Sequence, residues 1–225
     1  LPKTPKCLLF FQDLSIWIQG HNEANNLPKL FAPLKNIKDI VFIDHESTDN
    51  TAKVAEDLGA RVYTRKFLHE KITEEDVLDF TERFGYPPRF KAHELVPICW
   101  KERTECQKFC KNDWVLNLDC DEVLTWDLEK VKKLLPFYDA INCKYYHERN
   151  TDESRSRKDW FQTLRLYNRK KTFWIGRIHE VLNGYDLRIG WTDDMEIDHF
   201  QVLGRNRIAN INVMEYAVLR DQDIR

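Results

Sequence analysis

The chain has 225 residues, enough for one large domain, and no shift in composition marks a boundary within it. Apolar residues make up 42% and aromatics 12%, which supports a sizeable core and excludes a disordered chain. Lys and Arg number 35 against 37 Asp and Glu, so no basic excess points to nucleic acid as the partner.

The longest apolar run near the start, Cys7 to Phe11, stops at Gln12, well short of the roughly 20 residues that a membrane-crossing helix needs. No signal-peptide pattern is present. Leu1 stands where an initiator Met would, which fits a trimmed chain or a fragment. The expected location is cytoplasmic, with membrane association only through a bound molecule or a segment outside these residues. Six cysteines (Cys7, Cys99, Cys106, Cys110, Cys120, Cys143) form no Cys-x-x-Cys pair. Cys106 and Cys110 share a helix face, but the set reads best as small, semi-buried thiols in a reducing cytosol.

In chain order, Leu14 to Ile18 is an apolar run of strand type that ends in the polar loop Gln19-Gly-His-Asn-Glu. A helix opens at Leu27-Pro28, with Leu27, Leu30, Phe31 and Leu34 at helical spacing. Asp39 to Ile43 is a second strand without polar alternation, as a strand covered on both faces requires. It breaks into Asp44-His-Glu-Ser-Thr-Asp-Asn-Thr. Ser47 or Thr48 is placed to cap the next helix, Gly59 to end it, and Arg61-Val-Tyr to follow as a third strand. This alternation predicts right-handed βαβ units on a mainly parallel, Rossmann-like sheet.

Residues 66–98 read as an insertion, with a short acidic helix from Thr73 to Phe84 and a turn at Gly85-Tyr-Pro-Pro. A charged helix over 100–111 leads into the buried strand Trp114 to Leu118, which runs straight into Asp119-Cys-Asp-Glu. Thr125 is the expected cap of a helix carrying Leu128, Val131, Leu134 and Leu135, and a strand follows over Asp139 to Tyr146. From Thr151 the chain is dense in aromatics and arginines. The tail from Arg205 spaces Ile208, Ile211, Met214 and Val218 as a helix.

Three polar clusters each fall just after a predicted strand: Asn22-Glu23, Asp44 to Asp49, and Asp119 to Glu122. Loops at the carboxyl ends of parallel strands converge on one edge, so these clusters are expected to meet. Asp119 and Asp121, two apart in an extended segment, direct both carboxylates to one side. Two such carboxylates call for a cation between them, and oxygen ligands suit Mg²⁺ or Mn²⁺ shared with a substrate's phosphates.

Ser15-Ile-Trp-Ile-Gln-Gly-His-Asn-Glu, Val41-Phe-Ile-Asp-His-Glu-Ser-Thr-Asp-Asn-Thr and Trp114-Val-Leu-Asn-Leu-Asp-Cys-Asp-Glu resemble, in order and spacing, the first strand, nucleotide loop and Asp-x-Asp strand of family 2 glycosyltransferases. Leu164-Arg-Leu-Tyr-Asn and Gly176-Arg-Ile-His-Glu extend the resemblance to about residue 200. It implies a single GT-A domain over 1–225, with a nucleotide half at about 14–125, an acceptor half at about 126–205 and a C-terminal helix.

The implied activity is inverting, metal-dependent transfer of a sugar, most often from a UDP-linked donor, to a hydroxyl of a glycan, lipid-linked or protein acceptor. Carried over residue by residue, Asp44 binds the base, while Gln19, His21 and Glu23 face the nucleotide, His21 in the place of an aromatic. Arg103 falls near the nucleotide, Asp119 toward the ribose and metal, and Asp121 on the metal with His199 as a third ligand. His45 replaces the second acidic residue usual after Asp44.

The resemblance also implies a carboxylate base, for which Glu180 is the candidate, with Asp193 and Asp194 as rivals. Glu180 reads equally as an ion-pair partner of Arg165 or Arg177, and His199 equally as a core histidine. His179 is a candidate to orient the acceptor or diphosphate. Trp160, Trp174 and Trp191 read either as core or as an acceptor platform. Two other functions compete: a catalytically silent nucleotide-binding module and a sugar nucleotidyltransferase. The second is disfavoured because the first loop lacks Lys and Arg.

Overall fold

The computed structural model describes residues 13–149, 160–176 and 181–200, together with Tyr216 and Leu219. The apolar runs of the first part form β1 (Leu14–Gly20), β2 (Asp39–Asp44) and β3 (Arg61–Thr64), joined by α1 (Leu27–Phe31) and α2 (Thr51–Asp57). The insertion holds β4 (His69–Lys71), α3 (Glu74–Phe84) and β5 (Leu95–Pro97). Next come α4 (Cys99–Cys106), β6 (Trp114–Asp119), β7 (Glu122–Trp126) and α5 (Leu128–Leu134). The described part ends with β8 (Ala140–Arg149), β9 (Trp160–Asn168), β10 (Phe173–Ile175), β11 (Val181–Asn183) and β12 (Ile189–Phe200).

Eight strands make one sheet in the order β3-β2-β1-β6-β9-β8-β12-β7. The first four are parallel, as the βαβ pattern requires. Beyond β6 the sheet is mixed: β9 runs antiparallel to β6 and β8, β12 parallel to β8, and β7 antiparallel to β12. Successive side chains of β1 and β6 enter opposite cores. Leu14, Ile16, Ile18, Leu116 and Leu118 pack on the α1 side, while Trp17, Val115 and Tyr167 pack on the other side with Cys106 and Cys110. That two-sided burial is why these strands show no polar alternation. The insertion has its own small core of Ile72, Phe80, Phe90 and Val96, against which Tyr216 and Leu219 pack. The rest of the expected C-terminal helix lies outside the described residues.

Two predicted caps are corrected. Ser47 and Thr48 do not cap α2, because both are taken by the first loop: the Asn22 amide donates to Ser47 Oγ at 2.9 Å, and Asn22 Oδ1 accepts from the Thr48 amide at 2.8 Å. The helix starts at Thr51, whose amide donates to Asp49 Oδ1 at 2.9 Å. Thr125 lies inside β7, paired with Glu196, and Asp127 caps α5 by accepting from the Lys130 amide at 3.2 Å. The helix over 100–111 is shorter than expected: α4 ends at Cys106, and a 3-10 turn covers Gln107–Phe109. Thr73, by contrast, caps α3 through a reciprocal capping box with Asp76, and Gly85 ends it at φ 75°.

Candidate active site

Parallel register sets the first row of the site. Gln19 pairs with Asp119 and Gly20 with Asp44, so the carboxyl ends of β1, β2 and β6 finish level. Gly20 is needed there: a Cβ would stand 2.6 Å from Cys120 Sγ, so only glycine lets the turn after β6 lie against β1. A cavity of about 670 Å³ opens on this edge, and Gln19, His21, Glu23, Asp119, Asp121 and His199 all line it. Residues from three separate segments, 19–23, 119–121 and 199, therefore meet on this edge.

Asp44 is buried at the end of β2. Its Oδ2 accepts from the Ser47 amide at 3.2 Å and the Thr64 hydroxyl at 3.4 Å, while the buried Oδ1 has no protein donor. An unmet buried acceptor costs about 1–3 kcal/mol, so this oxygen is a ready seat for an N–H. His21 Nδ1 lies 2.8 Å from the His45 carbonyl oxygen. Glu23 fixes its own loop: its amide donates to Thr51 Oγ1 at 2.7 Å and its carboxylate accepts from Asn26 Nδ2 at 2.6 Å.

Asp119 sits in a cationic clamp. Its Oδ2 accepts from Arg165 Nη1 and Nη2 at 3.2 and 3.3 Å, and Arg103 Nη2 stands 3.6 Å away. Burial pushes its pKa up, but the two guanidinium charges outweigh burial and hold it at about 2. Arg165 also donates to Glu122 Oε1 at 2.6 Å and Asn117 Oδ1 at 2.9 Å. Buried Glu122 in turn accepts from the Asp119 amide at 2.9 Å and the Tyr145 hydroxyl at 2.8 Å. Sequence reasoning gave no role to Asn117 or Tyr145, counted Glu122 only as part of the acidic cluster, and gave Arg165, in the Leu164-Arg-Leu-Tyr-Asn motif, no role beyond pairing with Glu180. The one available signal was a charged residue inside the apolar strand Leu164-Arg-Leu.

Asp121 follows in the turn, with the Phe200 amide donating to its carbonyl oxygen at 2.8 Å. The β7–β12 pair then sets His199 opposite Glu122, with His199 Nε2 3.3 Å from Asp121 Oδ2. Hydrogen bonding to Asp121 raises the His199 pKa above its ordinary value. With Asp119 Oδ2 taken by arginines, Asp121 and His199 form an oxygen–nitrogen donor pair that fits a hard-to-borderline divalent ion.

A second cavity of about 630 Å³ is lined by Arg103, Tyr145, Phe161, Leu164, Arg165 and Trp174, among others. Arg103 thus reaches Asp119 from this side, its guanidinium 5.1 Å from the Trp174 ring. Trp160 and Trp191 pair with each other instead, ring centroids 5.6 Å apart. Asp194 bonds Lys130 Nζ at 2.9 Å and Asp193 bonds Lys144 Nζ at 2.8 Å. Asp194 is five positions before His199 on β12, about 16 Å along the strand. The remaining base candidate, Glu180, and with it Arg177 and His179, lie outside the described residues.

A parallel Rossmann-like half carrying an Asp-x-Asp turn at its strand ends, continued by a mixed half, is the GT-A architecture of glycosyltransferases. The solved structures agree. Glucosyl-3-phosphoglycerate synthase of Mycobacterium tuberculosis matches with TM-score 0.51 at 14% identity, over 94% of this chain and 79% of that one. Mannosyl-3-phosphoglycerate synthase of Rubrobacter xylanophilus matches with TM-score 0.50 at 16% identity, over 95% and 73%. The M. tuberculosis enzyme in complex with Mn²⁺ and UDP-glucose also matches, at TM-score 0.50 and 13% identity over 94% and 78%.

By sequence, the chain is similar to proteins named as uncharacterised glycosyltransferases. One from Rickettsia bellii is 27% identical over 216 residues, 92% of this chain and 60% of the relative. One from Rickettsia felis is 26% identical over 167 residues, 71% and 49%. The chain therefore spans about half to three-fifths of the length of these relatives. No family model matches it. Among the described residues no helix is long and apolar enough to cross a membrane.

Proposed function

We propose that the chain transfers a sugar, with inversion, from a UDP-linked donor to a hydroxyl of a glycan, lipid-linked or protein acceptor. The observation that carries this reading is the meeting of Asp121 and His199 beside the clamped Asp119, on the strand edge that also bears Asp44. Asp44 Oδ1 accepts a ring N–H of the base, and His21 lies beside that ring. Gln19, Glu23 and Arg103 contact the nucleotide, and Asp119 faces its ribose. Asp121 and His199, with Asp119 behind them, hold Mn²⁺ or Mg²⁺. The M. tuberculosis enzyme binds Mn²⁺ and UDP-glucose on the same fold, which supports this choice of ion and base. When bound, such an ion neutralises the charge that grows on the departing diphosphate.

The acceptor hydroxyl attacks the anomeric carbon as the bond to the diphosphate oxygen breaks, and its proton passes to a carboxylate. Glu180 is the proposed base; Asp194, bonded to Lys130 and about 16 Å along β12 from His199, is set aside. The acceptor is held by the cavity between Tyr145, Phe161 and Trp174, so residues of about 14–125 serve the donor and those of about 126–205 the acceptor. The working compartment is the cytoplasm.

Calorimetric titration of UDP and GDP, with Mn²⁺ and again with chelator, tests the proposal. Binding of UDP that chelator abolishes is the expected result. Binding of neither nucleotide would overturn it and point to a degenerate site or a different ligand, and equal UDP binding without metal would overturn the metal-dependent reading.

A further inference from the structure

On the wall of the donor cavity a second group of ligand atoms converges: His45, Glu102 and Cys106, which have no part in the proposed transfer, and the side-chain oxygen of Gln19, which also faces the nucleotide. His45 Nε2 lies 3.9 Å from Glu102 Oε1 and 3.4 Å from Gln19 Oε1. Cys106 Sγ lies 3.2 Å from the same Glu102 oxygen and 3.9 Å from Gln19 Oε1. The His45, Glu102 and Cys106 atoms all fall within 4.8 Å of one another, with Glu102 and Cys106 one turn apart on the buried face of α4. A tetrahedral metal with bonds of about 2.0–2.3 Å sets its corners roughly 3.3–3.6 Å apart. The observed spacings already bracket that figure.

His45 is oriented as a metal-bound imidazole is. Its Nδ1 stands 3.3 Å from the Arg65 carbonyl oxygen, the outer-shell partner that fixes a ligating histidine through its other nitrogen. A proton on Nδ1 then leaves the Nε2 lone pair facing two oxygens, of Gln19 and Glu102, that have no proton to offer. Moving the proton to Nε2 sets a bare Nδ1 against the Arg65 carbonyl instead. With the Gln19 amide oxygen turned to the ring, either tautomer leaves one ring nitrogen facing an oxygen with its lone pair. A cation at Nε2 satisfies both nitrogens. The opposing charge is Arg65, whose Nε is 3.5 Å from Glu102 Oε1; its side chain is 24% exposed and has a path to solvent when a dication takes its place.

We propose that His45, Glu102 and Cys106, with the Gln19 carbonyl as fourth corner, form a structural site for a zinc-class divalent cation, separate from the Asp121–His199 pair. Thiolate and imidazole select zinc over magnesium or manganese. The Cys106 S–H bond breaks as the sulfur–metal bond forms, and the proton leaves to solvent. Glu102 keeps its other oxygen on the Leu68 amide at 2.9 Å. The ion would join β1, the turn after β2 and α4, three walls of the donor cavity.

The test is a Co²⁺ titration of the chelator-treated full chain, followed by absorption. The expected result is a thiolate-to-cobalt charge-transfer band that saturates at one equivalent and is displaced by Zn²⁺. It should vanish in Cys106→Ser and persist in Asp121→Ala. No band in the unmodified chain, or a band that survives Cys106→Ser, overturns the proposal. The unmodified chain decides the matter even if the serine variant does not fold. UDP binding with Mn²⁺, measured separately on Cys106→Ser, keeps this result distinct from the transferase reading.

Discussion

The two halves of the sheet position charge in different ways. In the parallel half, β1, β2 and β6 are buried on both faces, and the carboxylates that matter, Asp44 and Asp119, stand at strand ends. In the mixed half, β8, β9 and β12 carry Lys144, Arg165, Asp193 and Glu196 along their length, each held by a partner on a neighbouring strand. Register alone delivers a strand-end carboxylate to the site. A buried mid-strand charge such as Arg165 needs a specific counter-charge, because its side chain has little water to turn to, whereas Asp193 reaches solvent. The candidate site forms at the seam between β6 and β9, where one half supplies Asp119 and the other Arg165.

The sharpest way to break that seam is Arg165→Met. It leaves buried Glu122 and the neighbouring Asp119 without their shared cation, and loss of one partner of such a pair costs about 3–5 kcal/mol. Urea unfolding measures it, and Arg165→Lys should fall between, since one ammonium cannot fork to Asn117, Asp119 and Glu122 together. A variant as stable as the parent would show that the halves do not depend on this clamp. Asp121→Ala comes next. It removes a proposed metal ligand from a turn rather than from the core, so the fold should survive while Mn²⁺-dependent UDP affinity falls about 100-fold or more. Unchanged affinity with an intact circular dichroism spectrum would remove Asp121 from the site.

The same contrast explains what could be read in advance. Continuous apolar runs reported the parallel strands, and polar clusters at their ends reported the row of Gln19, Asp44, Asp119 and Asp121, because both signals are local. The antiparallel partners are not local. That Thr125 is a strand residue facing Glu196 depends on a pairing with β12, a strand far along the chain, so local pattern made it a helix cap. Arg165 finds Asn117 and Asp119 through the β6–β9 register, which no short window contains. Glu122 was hidden by its neighbours: adjacent to the Asp-x-Asp pair it looked like one more acidic residue, yet it is the buried acceptor that holds the Asp119 amide.

Asp139, in the bend just before β8, sharpens the comparison on the other side of the seam. Hydrogen bonds from Arg188 and then Lys171 hold its carboxyl well below the usual range, with Arg188 Nε and Nη2 both at 3.0 Å. A depressed folded pKa means stability that is present above the unfolded value of about 3.9 and lost as pH falls through the folded one. Asp139→Asn should cost about 1.5 kcal/mol at neutral pH, the low end for charged hydrogen bonds because both cations are half-exposed. It should also flatten the acid limb of the stability curve. An acid limb identical to the parent's would show that other carboxylates control it.

The smallest expected effect lies in the insertion, outside both halves. Thr73 Oγ1 accepts from the Asp76 amide at 3.2 Å while Asp76 Oδ2 accepts from the Thr73 amide at 2.7 Å, so Thr73→Ala should cost about 1 kcal/mol. The insertion touches the proposed donor cavity through Phe67, His69 and Pro97, whereas α3 packs on its own cluster around Phe80. The cap should therefore lower stability and leave UDP affinity within about twofold, since distant sites without shared partners act additively. A larger loss of affinity would mean that α3 and the cavity wall move as one body, and that the insertion belongs to the donor site rather than beside it.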